Sequence, residues 1–108
     1  MPILKDFLQE ELKNSLELKL SYEQQLKELP KGALVPKEIK GHRYYYLIFR
    51  VSGKVHSLYK GKLPKVEVQK NIAARKKRAQ VRALLAQANR QILFLKKVLH
   101  DRQLQSMP

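Results

Sequence analysis

The chain of 108 residues contains no cysteine, which excludes disulfides and thiolate metal sites and fits a reducing compartment. Acidic residues are scarce: nine Asp and Glu stand against 23 Lys and Arg, a formal net charge of +14. Such an excess opposes compaction by self-repulsion, so a polyanionic partner or counterions must gain from it. Long apolar runs are missing too. The N-terminus, Met1-Pro2-Ile3-Leu4-Lys5-Asp6-Phe7, meets charge at once, whereas a signal peptide needs an apolar run of about 7–15 residues and a membrane span about 20. The expectation is a cytoplasmic or nucleoid-associated protein with no membrane partner. At this length the chain suits a single domain.

Only four glycines occur, Gly32, Gly41, Gly53 and Gly61. They are spaced as turn punctuation and form no phosphate-cradling loop. Groups for catalysis are equally thin. His42, His56 and His100 fall in a turn, a strand and the far end of a helix, and Glu38 and Glu67 are isolated. Neither a metal cage nor an acid/base pair emerges from that set. A tyrosine nucleophile among Tyr44, Tyr45 and Tyr46 would need activating neighbours that the sequence does not supply. The composition therefore points to a non-catalytic binding module, with no cofactor and no small-molecule substrate.

The charge is unevenly placed. Residues 1–30 carry four Lys and six acids, a net of −2. Residues 31–82 carry fifteen Lys or Arg against Glu38 and Glu67, a net of +13, and residues 83–108 carry +3. A protein that used charge only for solubility would spread it. Concentration in the middle marks a binding face there.

The spacing predicts a helix over residues 3–29, with Leu4, Leu8, Leu12, Leu16 and Leu20 every four residues, then Tyr22, Leu26 and Leu29. Pro30 and Gly32 end it. Residues 33–60 switch to strand chemistry around Tyr44-Tyr45-Tyr46-Leu47-Ile48-Phe49. Two hairpin registers compete. A two-residue turn at Ser52-Gly53 pairs Leu47 with Leu58 and Phe49 with His56. A three-residue loop, with glycine at a G1 bulge, pairs Phe49 with Val55, Leu47 with Ser57 and Tyr45 with Tyr59. The bulged register is favoured because it gives one apolar and one basic face, with Arg50 opposite Lys54. The same rule pairs Val35 with Tyr45 and Ala33 with Leu47, and Pro36 makes that first strand an edge.

A long helix over 65–104 follows. Val81, Leu85, Ala88, Ile92, Leu95 and Leu99 alternate spacings of four and three, a heptad seam. The fold class is α+β in the order αβββα, a three-stranded antiparallel meander between two long, partly coiled-coil-like helices. The seam either packs on the first helix or meets a second copy. The second helix should outreach the first, about 60 Å against 40 Å, which favours self-association through Ala88, Ile92, Leu95 and Leu99 as a homodimer, or capture of a partner helix.

Dense positive faces bind nucleic acid by releasing condensed counterions, and a major groove admits a helix or a small β-ribbon. The expected contacts are Arg43, Tyr44, Tyr46, Arg50, Lys54, His56 and Lys60 on the sheet. Lys62, Lys65, Lys70, Arg75, Lys76, Arg78 and Arg82 continue them into the second helix. Here Arg75, Arg78 and Arg82 share a side, and the tyrosines stack on bases or bond phosphate. DNA is the first expectation, RNA or a single strand its nearest rival. A helical protein-interaction module with merely solvating charge is the alternative of a different class.

Three strands followed by a helix resemble the small DNA-binding domains at the N-termini of some integrases and plant AP2-type domains, in which a sheet face enters the major groove. Residues 29–61 carry a second resemblance. Leu29-Pro30-Lys31-Gly32, Ile39-Lys40-Gly41, Tyr44-Tyr45-Tyr46-Leu47, Arg50, Gly53-Lys54-Val55 and Tyr59-Lys60-Gly61 look like a family of short, uncharacterised microbial proteins. That likeness implies a tyrosine-rich hairpin with helices on both sides, and no activity. The sequence departs from the family at Leu58, where a basic residue is usual.

Overall fold

The computed structural model describes residues 2–105, in the order α1 (Pro2–Glu28), β1 (Ala33–Ile39), β2 (His42–Val51), β3 (Lys54–Gly61) and α2 (Lys65–Gln105). The expected αβββα arrangement is present, with β2 in the centre of one antiparallel sheet. The chain forms two compact units. One holds α1 up to Lys27 with α2 from Gln80; the other runs from Glu28 to Ala79 and holds the sheet with the first turns of α2.

In the helical unit the α2 seam is buried as its spacing predicts: Val81 is 1 % exposed, and Ala88, Ile92, Leu95 and Leu99 are also inside. On α1 the inward residues are Leu8, Leu12, Ser15, Lys19, Tyr22 and Leu26, of which Ser15 is fully buried. This corrects the expected stripe of leucines. Each step of four overshoots a 3.6-residue turn by about 40°, so a strict four-residue repeat walks off the inner face. Leu16 and Leu20 end up 38 % and 67 % exposed, and Ser15 and Lys19 take their places at heptad spacing.

The two inward series both run at alternating spacings of three and four, the pattern by which two helices in one compact unit cover each other's apolar stripes. The expectation that Ala88, Ile92, Leu95 and Leu99 serve self-association is also corrected, because α1 covers them within one chain. The first turns of α2 belong to the sheet unit, so the remainder, from Gln80 on, is no longer than α1.

Both hairpins turn in two residues. Lys40 and Gly41 have φ of 51° and 78°, Ser52 and Gly53 of 51° and 79°, the left-handed pair of a type I′ turn. The pairing is therefore Val51 with Lys54, Phe49 with His56 and Leu47 with Leu58, and, across β1, Val35 with Tyr46 and Ala33 with Ile48. The favoured three-residue register is overturned. The primed turn matches the right-handed strand twist, and it keeps β-branched Val51 in the strand rather than in the loop. A bulge does occur, at the other end of the hairpin: Tyr45 pairs with Gly61 and Tyr46 with Tyr59, so Lys60 is the extra residue, next to Gly61 at φ 74°.

Two side chains of α2 fasten the entry to the sheet. Asn71 Oδ1 accepts from the Leu34 amide at 3.0 Å and its Nδ2 donates to the Gly32 carbonyl at 3.4 Å. The carboxamide thereby pairs with the β1 edge as a neighbouring strand would. Arg78, two turns further on, donates to the Pro30 carbonyl. Gly32 itself sits at φ 98°, a conformation strained for any side chain, and an added Cβ would press on Leu47 Cδ1 at 2.9 Å and on the Ile48 carbonyl oxygen at 3.1 Å.

Asn71→Ala should lower unfolding free energy by about 1–3 kcal/mol in urea titrations, because it strands a donor and an acceptor at a half-buried edge. Ser52→Asn, which suits a left-handed turn position better, should raise it by about 0.5–1 kcal/mol.

Candidate nucleic-acid interface

Because opposed residues in a sheet share a face, the observed register decides what each face carries. Tyr46 and Tyr59 are directly opposed, and Tyr44 lies two residues along on the same side. Their rings form a run across β2 and β3: Tyr46 to Tyr59 at 5.3 Å between centroids, Tyr59 to Tyr44 at 6.4 Å, and Tyr44 to His42 at 6.5 Å. Tyr59 is 57 % exposed, while Tyr44 and Tyr46 are half-buried. Lys37 on β1 holds its Nζ 6.0 Å from the Tyr46 ring centre, and Lys62 places its own 5.9 Å from that of Tyr44. Each such contact is worth about 0.5–1 kcal/mol at an exposed site. Arg50 alternates onto the same face and is exposed.

The opposite face carries Leu34, Leu47, Leu58 and Phe49. His56 stacks on Phe49, 5.5 Å between centroids and 18° apart in plane. A cleft of about 460 Å³ opens there, bordered by Lys31, Leu47, Phe49, Val51 and Leu58 and, at the turn end of the hairpin, by Arg50 and Ser52.

The predicted residues are thus divided. Tyr44, Tyr46, Arg50 and Lys62 come together on the tyrosine face. Lys54 and His56 fall on the leucine face, so the single basic face expected from the bulged register does not exist. Arg43 also lies there, 3.2 Å from Glu38; that carboxylate, and then Tyr45, hold its guanidinium above the usual pKa. Lys60 projects from the bulge, and Lys65, Lys70, Arg75, Lys76 and Arg82 are exposed along α2. Arg78 does not share the exposed side of Arg75 and Arg82; it is half-buried against Pro30 and serves the fold.

Tyr59 and Lys37 were not among the expected contacts. Two-residue turns at Ser52-Gly53 and Lys40-Gly41 are the signal that finds both, since they oppose Tyr59 to Tyr46 and Lys37 to Tyr44.

Comparison with protein-family models, with curated proteins and with solved structures returned no match. The site therefore stands on its own chemistry. The sheet unit, Glu28 to Ala79, contains fourteen Lys or Arg against three acids, a net of +11. Among the described residues no group of three His, Asp or Glu side chains is placed to hold a metal. No described helix is long and apolar enough to cross a membrane.

Proposed function

We propose that the chain binds nucleic acid, DNA in the first place, through the tyrosine face of its sheet, with the exposed bases of α2 adding phosphate contacts. One observation carries this reading: tyrosines from two strands lie together on an open face, with lysine ammonium groups over their rings, in a unit of net charge +11. An aromatic ring offers its face to a base, and a lysine held above it can exchange that weak contact for a phosphate. Arg50 supplies a planar fork for a phosphate or a guanine edge.

The ring cluster also favours one form of the ligand. In a duplex the bases are stacked on each other and present only their edges, whereas a single strand offers flat faces to tyrosine. The exposure of Tyr59 therefore supports unpaired DNA or RNA as the preferred state. The leucine face, with Lys54 and His56, plays no part in this contact.

Anisotropy titrations with labelled duplex and single strands, at two salt concentrations, test the proposal. Tyr59→Ala should weaken single-strand binding by about 1–3 kcal/mol and duplex binding much less. Lys37→Gln with Lys62→Gln should reduce the salt slope by about 0.7 per lost contact on a single strand. Lys13→Gln on α1 should leave both unchanged. Equal responses from all these variants would identify diffuse attraction to a basic protein and sink the site.

A further inference from the structure

The rings of the tyrosine face are spaced and inclined in a way that restricts the bases they can take. Along β2, Tyr44 and Tyr46 are two residues apart on one side of a strand, about 6.8 Å at the usual strand rise. Across the hairpin Tyr46 and Tyr59 are directly opposed, with ring centres 5.3 Å apart, and Tyr59 and Tyr44 are 6.4 Å apart. These separations come from residue positions in the sheet, so a change of rotamer does not remove them. Bases stacked in a nucleic-acid strand are parallel and rise about 3.4 Å each. The rings of the site are not parallel: Tyr46 is inclined at 59° to Tyr59, Tyr44 at 36° to Tyr59, and His42 at 64° to Tyr44.

A strand must come apart to use such a surface. In a stacked run only the end base has a free face, so each ring after the first that receives a base breaks one stack within the strand. Breaking it costs most for adenine and least for thymine and uracil, whose mutual stacking is weak. Size acts in the same direction. A single-ring base covers one phenol ring, whereas the second ring of a purine overhangs it. Beside Tyr46 that overhang meets Tyr59, inclined by 59° and only 5.3 Å away. Lys37 and Lys62, with ammonium groups 6.0 Å and 5.9 Å from the Tyr46 and Tyr44 ring centres, reach phosphates that every sequence carries. Discrimination between bases is left to the rings. Resting on the nucleic-acid reading above, we infer that the tyrosine face prefers unpaired runs of thymine or uracil to runs of adenine. It selects them by their ease of unstacking and not by hydrogen bonds to base edges.

Fluorescence anisotropy of the full chain with labelled oligothymidine and oligodeoxyadenosine of equal length tests this; oligouridine and oligoadenylate repeat the comparison in RNA. The natural chain should bind oligothymidine on the order of tenfold more tightly than oligodeoxyadenosine, and oligouridine more tightly than oligoadenylate. The chain has no tryptophan and five tyrosines, so oligothymidine should also quench its intrinsic emission. Tyr59 is 57 % exposed, and Tyr59→Ala should keep the circular dichroism of the natural chain. It should bind both strands more weakly, lose part of the quenching and bring the ratio of affinities toward one. Tyr59→Phe should keep that ratio, because a phenyl face stacks as a phenol does. Adenine strands that bind the natural chain as tightly as thymine strands, with Tyr59→Ala still weakening both, would overturn the base preference and leave the site standing. A ratio that survives Tyr59→Ala would likewise overturn it, by taking the selection away from the rings. Should Tyr59→Ala change neither affinity nor quenching, the site and the preference fall together.

Discussion

The sheet unit depends on a clamp between α2 and five residues of extended chain. Asn71 and Arg78 stand two turns apart on one side of α2, about 10 Å along its axis, and between them they hold the backbone polar groups of Pro30, Gly32 and Leu34. An extended chain covers that span in three or four residues. The match fixes where β1 begins, and the registers of β2 and β3 then follow from the two turns. The contacts are to main-chain atoms, so they position the strand regardless of its side chains. A three-stranded sheet with little burial needs such an external anchor, since no sheet residue is fully enclosed.

Much of this architecture was legible in the sequence, for identifiable reasons. The α2 seam was readable because its apolar residues alternate spacings of four and three without interruption, and no other period accommodates them. The strand order followed from glycine positions and the aromatic run. The α1 face was misread because leucine identity outweighed geometry. Ser15 and Lys19 look like surface residues, yet Ser15 is buried and Lys19 half-buried, a small hydroxyl and an aliphatic stem at inward positions. The hairpin register was misread for a related reason. Segregating apolar from basic residues is a good rule when one face is buried, and here neither face is enclosed, so turn geometry decided instead.

That correction reshapes the site more than the fold. The tyrosine run exists only in the observed register, where Tyr46 and Tyr59 oppose each other, and the same register moves Lys54 and His56 to the opposite surface. Charge density along the chain located the basic unit well, because the +11 segment is also a structural unit. It did not indicate which bases are engaged by the fold. Arg78 and Arg43 look like their neighbours in sequence, yet one donates to a carbonyl and the other faces Glu38.

A three-stranded sheet has two free edges, and an open edge invites pairing with any extended chain. On β1 the invitation is withdrawn twice, by the Asn71 carboxamide at Leu34 and by Pro36, which has no amide hydrogen to offer. On β3 the bulge at Lys60 interrupts the regular ladder and adds twist, while Lys54 and Lys60 bring positive charge to either end of the strand. Edge-to-edge stacking of these sheets would bring such charges together at both ends. A small domain with apolar residues on both sheet faces is thereby kept from polymerising through its backbone, and its open surfaces stay free for partners that meet side chains.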